Sequence, residues 1–151
     1  PYPYKMPLPP SDPTPVDGIY INLDPATGIP TPCARCAEYR LAGGIWAVSF
    51  NKGIFSILHR DTGWRGVASY SVSGDHLTLF NDPACRDDVG VYAWKIEKGL
   101  QKRFLILQEI DDACSSRQRA ENLTMLPWSS CQPPNVEAAI TDHWPKPAGC
   151  P

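Results

Sequence analysis

Five carboxylates crowd two short stretches of this chain: Asp82, Asp87 and Asp88 in one, Asp111 and Asp112 in the other. Carboxylate oxygens in that number suit a calcium ion if the two stretches meet. Arg86 and Arg117 stand beside them, so a solvated acidic rim is the competing reading. Cys33-Ala34-Arg35-Cys36 is a C-x-x-C, a spacing with three known chemistries. Redox catalysis places the motif at the start of a helix, whereas here it precedes a strand-like run. Zinc needs a second ligand pair at close spacing, and the three histidines (His59, His76 and His143) are scattered. A haem attachment needs His at position 37, which is Ala. A structural disulfide is the expectation. No nucleophile elbow organises the Ser, His and Asp residues, so no catalytic residue, metal or cofactor is assigned. Tyr70 and Tyr92 are the polar handles that a reactive interior would use.

Composition sets the compartment. Six cysteines make an even set (Cys33, Cys36, Cys85, Cys114, Cys131 and Cys150), and the first residue is Pro. Together they read as an exported chain in an oxidising space, extracellular or periplasmic. The net charge is −2, which leaves no basic surplus for phosphate contacts, so nucleic acid is not an expected partner. No apolar run reaches the roughly 18 residues of a membrane span.

The residues above must be positioned by a strand-rich middle between two proline-rich arms. Of 17 prolines, seven lie in residues 1–15 and six in 127–151. Proline removes a backbone donor, so neither arm can pair as a strand along its length. Residues 1–17 and 129–151 are read as arms around a barrel domain at 18–128. Tyr2, Tyr4 and Met6 alternate with prolines and suit a groove on a neighbouring protein subunit. Residues 135–143 suggest one short helix, capped by Asn135, with Val136, Ala139 and Ile140 on one face.

Eight runs of period-two alternation fill the middle, at 18–23, 39–50, 54–59, 67–71, 76–80, 91–96, 104–109 and 122–126. Turn residues tolerant of positive φ separate several of them, as in Asn51-Lys52-Gly53 and Ser73-Gly74-Asp75. Such short links make antiparallel neighbours. The predicted fold is therefore all-β, an eight-stranded antiparallel up-and-down meander, and closure into a barrel removes its edges. Its apolar face collects Trp46, Val48, Phe50, Ala68, Tyr70, Leu79, Tyr92, Trp94, Leu105 and Met125, which would line the interior and any ligand cavity there. The sequon Asn122-Leu123-Thr124 falls on the last run with Asn122 facing out.

In a meander, alternate loops share an end. The loops holding Cys85 and Cys114 then lie together, and a Cys85–Cys114 bridge is the natural pairing. Cys33–Cys36 with Cys131–Cys150 is the simplest arrangement of the other four, and a tail folded back onto the first loop is equally allowed.

With these elements in place, the chain resembles the lipocalin or broader calycin barrels, and small bacterial lipocalin-like domains in particular. The resemblance rests on Gly44-Ile45-Trp46 opening a strand, on Tyr70 to Asp75, on Gly90 to Trp94, and on Arg117 or Arg119 just before the last run. A helix after the last strand also fits. One departure is that the Gly-x-Trp stands on the second run, not the first. The resemblance implies a small, mostly apolar ligand held inside the barrel without catalysis, and an arginine packed over Trp46. The alternative is a structural or interaction subunit of a larger extracellular assembly, held by its arms. A barrel-type enzyme acting on a small hydrophobic molecule trails both.

Overall fold

A computed structural model describes residues 6–25, 39 and 43–151. Eight antiparallel strands close in sequence order into an up-and-down barrel. They are β1 (Gly18–Asp24), β2 (Gly44–Asn51), β3 (Ile54–His59), β4 (Arg65–Ser73), β5 (His76–Phe80), β6 (Gly90–Lys98), β7 (Arg103–Asp111) and β8 (Trp128–Ser130). The alternation of the sequence sets the faces. Tyr20, Val48, Ile57, Tyr70, Leu79, Tyr92 and Leu105 point inward and are at most 1% exposed. Lys52 and Gly53 at φ 51° and 81° turn β2 into β3, and Gly74 at φ 58° turns β4 into β5. These are the left-handed conformations that hairpin turns require.

Two boundaries differ from the pattern. The second strand starts at Gly44, and Tyr39 lies in a turn at φ 66°. Residues 122–126 are not the last strand. They belong mostly to α1 (Gln118–Thr124), and three-residue β8 replaces them in closing the barrel. Helical spacing wins because Arg119, Ala120 and Leu123 lie on one side of α1 and all are buried. β8 bridges the seam, pairing Leu105 with Trp128 on one side and Tyr20 with Ser130 on the other.

The barrel is stoppered at both ends. At the end where β1 begins, the N-terminal arm inserts Val16, fully buried in the core cluster. The Tyr20 hydroxyl donates to the Val16 carbonyl at 2.7 Å and holds it there. At the opposite end α1 lays Ala120 and Leu123 onto the same cluster.

The C-terminal arm straps the outside. The predicted helix is α2 (Val136–Thr141), and Asn135 caps it by accepting from the Ala138 N–H at 2.8 Å. Its buried residue is Ala138. Val136 and Ile140, on the apolar face of the pattern, are 75% and 79% exposed, because the helix is anchored through Ala138 and not through their face. A Cys131–Cys150 bridge ties the arm back, and Gly149 covers Ile21 and Ile45 on the outer wall. No helix among the described residues is long and apolar enough to cross a membrane.

Candidate functional site

Eight of the ten predicted ligand-lining residues share the buried barrel core. Trp46, Val48, Phe50, Ala68, Tyr70, Leu79, Tyr92 and Leu105 are all at most 3% exposed. Phe50 packs at 5.2 Å from Phe55 and edge-on at 5.1 Å from Tyr70. These eight side chains are covered as in an ordinary protein core. Trp94 is half-buried at the rim, donating its indole N–H to the Gly74 carbonyl at 3.0 Å. Met125 is not an interior residue. It follows α1 and is 49% exposed, because the helix turns it outward.

The polar handles are occupied too. Tyr70 donates its hydroxyl to Asp17, and Tyr92 donates to Asp112. Burial, reinforced by the adjacent carboxylate, pushes both phenols well above the ordinary tyrosine range. They act as fixed donors.

The two acidic stretches do meet, but around a cation already supplied by the chain. Arg119 is fully buried. Its Nε and Nη2 donate to Asp112 at 2.7 and 2.9 Å, and its Nη1 donates to Asp82 at 3.0 Å. Tyr39 donates to Asp82 at 2.6 Å from across the barrel end. Burial alone would lower the Arg119 pKa, yet the hydrogen bonds and charge of Asp112 hold it above its usual value. Asp82 and Asp112 are thus spent on Arg119. Asp87 and Asp111 are exposed and Asp88 is half-buried. The five carboxylates therefore do not converge as one calcium cage. Gly90 explains its own type here: a Cβ on it would stand 2.7 Å from Asp112 Oδ2 and 2.9 Å from Arg119 Nη2.

Arg119 therefore binds carboxylates, and the described packing of Trp46 is against His59 at 4.6 Å and Trp64 at 6.0 Å. Arg117 is exposed and pairs with Glu109. His59 is buried; its Nε2 donates to the Gly43 carbonyl at 2.7 Å and its Nδ1 accepts from the Thr62 N–H, a structural clamp. His76 and His143 are exposed. Asn122 is buried and donates its amide to the Tyr39 carbonyl, so the sequon faces inward and not out.

The Cys85–Cys114 bridge joins the two loops beside Asp82. Cys33 and Cys36 lie outside the described residues, as do Tyr2 and Tyr4. Met6 docks on its own barrel, its N–H donating to Asn81 at 2.9 Å and its carbonyl accepting from the same amide at 3.0 Å.

Alternation in the sequence also fixed an outer face that no motif marks. A row of paired residues, Ile19, Ser49, Ser56 and Val67, crosses β1 to β4. With Ala47 and Leu58 it forms a shallow groove of about 450 Å³. A second groove of about 390 Å³ runs beneath the N-terminal arm past Leu8, Ile54 and Val67. Comparison of the chain with protein-family models, curated proteins and solved structures finds no match.

Proposed function

We propose that this chain is a non-catalytic, lipocalin-like interaction domain of an extracellular or periplasmic assembly, recognising its partner on the outside of a solid barrel. One observation carries the reading: the described core is continuous from the Val16 stopper to α1, and the Tyr20, Tyr70 and Tyr92 hydroxyls in it each have a partner within the chain, the buried Asn22 amide being the exception. A carrier of apolar molecules needs a cavity of several hundred Å³, and the near-complete burial of the described inward side chains speaks against one. The outer wall supports the partner side of the reading. Ile54 and Val67 are 57% and 48% exposed, on a sheet face where a solitary barrel places polar residues. Among the described residues, two disulfides, one stapling loop to loop and one closing the C-terminal arm, fit an oxidising compartment.

Mass spectrometry of the unreduced chain under native and then denaturing conditions tests this. The expected native species carries no small apolar molecule. A native monomer holding an extra few hundred daltons that leave on denaturation overturns the reading in favour of a carrier.

A further inference from the structure

A cleft of about 260 Å³ lies between the barrel wall and the C-terminal arm. Its floor is Arg103 and Phe104 of β7 with Ser129 of β8, and its roof is the Trp144-Pro145-Lys146-Pro147 segment. Three features set it apart. First, it is walled by donors. Lys102, Arg103 and Lys146 line it with no carboxylate among its residues, in a chain whose net charge is −2. Second, two N–H groups of its lining residues are unspent. The Trp144 Nε1 and the Arg103 Nε are buried and have no hydrogen-bond partner. A buried N–H without an acceptor forfeits its hydration with nothing in return, so such groups are normally satisfied. Third, the cleft is preformed. The Cys131–Cys150 bridge closes the arm, the Cys150 N–H donates to the Pro147 carbonyl at 3.2 Å, and Asn135 donates to the Leu100 carbonyl at 3.1 Å. Two prolines stiffen the roof itself.

We infer that this cleft is a binding site for a small organic carboxylate with an apolar body. Its donors are a guanidinium, an indole N–H and flanking ammonium groups, which offer hydrogens and ask for acceptors. A carboxylate brings two acceptor oxygens in a plane, the shape that an arginine fork matches. Phe104, Pro145, Pro147 and the Trp144 ring supply apolar walls for the rest of the ligand. A bare phosphate would leave those walls empty. The inference rests on the reading that this barrel binds on its outside.

Titrating the full chain with phenylacetate while following the five tryptophan indole resonances by heteronuclear NMR tests it. The expected result is a saturable shift of the Trp144 indole N–H, absent with the neutral isostere 2-phenylethanol. Arg103→Gln weakens that binding on the order of tenfold, the loss of one charge-assisted bond. Lys146→Ser, on the exposed arm, weakens it without threatening the fold and serves if the Arg103 variant does not fold. No saturable shift of Trp144, an equal response to inorganic phosphate, or affinity unchanged by Lys146→Ser with Arg103→Gln overturns the site. A shift confined to the buried Trp46 and Trp128 indoles instead overturns the outside-binding reading itself.

Discussion

Arg119 organises one end of the barrel from a single side chain. Its guanidinium replaces water with two carboxylates, and those carboxylates also accept from Tyr39 and Tyr92. Such a cluster is expensive to break from one side, because the remaining charges stay buried without compensation. Arg119→Met is expected to lose about 3–5 kcal/mol of stability in urea unfolding at neutral pH. A loss below about 1 kcal/mol would show that water reaches the carboxylates and takes over from the arginine. Gly90→Ala acts on the same cluster through its backbone neighbour and should destabilise in the same direction. None of this direction was legible in the sequence. Five aspartates in two loops read alike, and only the long-range position of Arg119 decides that Asp82 and Asp112 turn in while Asp87 and Asp111 face water. The inward face of the strands was legible, since a period of two leaves Trp46, Val48 and Phe50 no choice of side. Whether those residues surround a cavity was not legible, because closeness of packing depends on how strands far apart in sequence meet.

Among elements, α1 shows where local pattern fails. Asn122 to Met125 alternates polar and apolar, and a strand reads that rhythm as well as a helix does. Tertiary contacts decide: Ala120 and Leu123 plug the barrel, and Trp128 donates its indole N–H to the Leu123 carbonyl at 2.9 Å. The approach to α1 carries a cost. Ser115, Ser116 and Arg117 take φ of 54°, 55° and 67° in succession, conformations costing about 1–2 kcal/mol each for residues with a Cβ. Ser116 is exposed, so Ser116→Gly is expected to stabilise the chain by about 1 kcal/mol, read as a raised urea midpoint with unchanged slope. The Cys85–Cys114 bridge spans the same turn region, closing 29 residues of sequence separation. Replacing both cysteines with serine should cost on the order of 3 kcal/mol by the chain-entropy argument. If the two loops were already fixed by Arg119 in the unfolded ensemble, calorimetry would show a much smaller loss.

At the scale of the whole molecule, the tyrosines tie burial to pH. Tyr20 is fully buried, and that burial pushes its phenol up to about 12, with the Arg103 charge pulling partly the other way. Tyr39, Tyr70 and Tyr92 are raised as well, each by burial first and then by a neighbouring carboxylate. A folded pKa above the unfolded value means that the fold favours the neutral phenol. The stability this confers is fully present below pH 10, the ordinary tyrosine value, and is lost as pH climbs from there through the raised values. Tyr20 alone accounts for on the order of 3 kcal/mol between pH 10 and 12. These four residues belong to one buried core cluster, so their ionisation is expected to be coupled to its loss. Alkaline titration should therefore show their phenolate absorbance rising in one cooperative step above pH 10, coincident with loss of the aromatic circular dichroism. A gradual rise centred near pH 10 with the dichroism intact would mean that solvent enters the barrel, and the interior would then be open to a ligand after all.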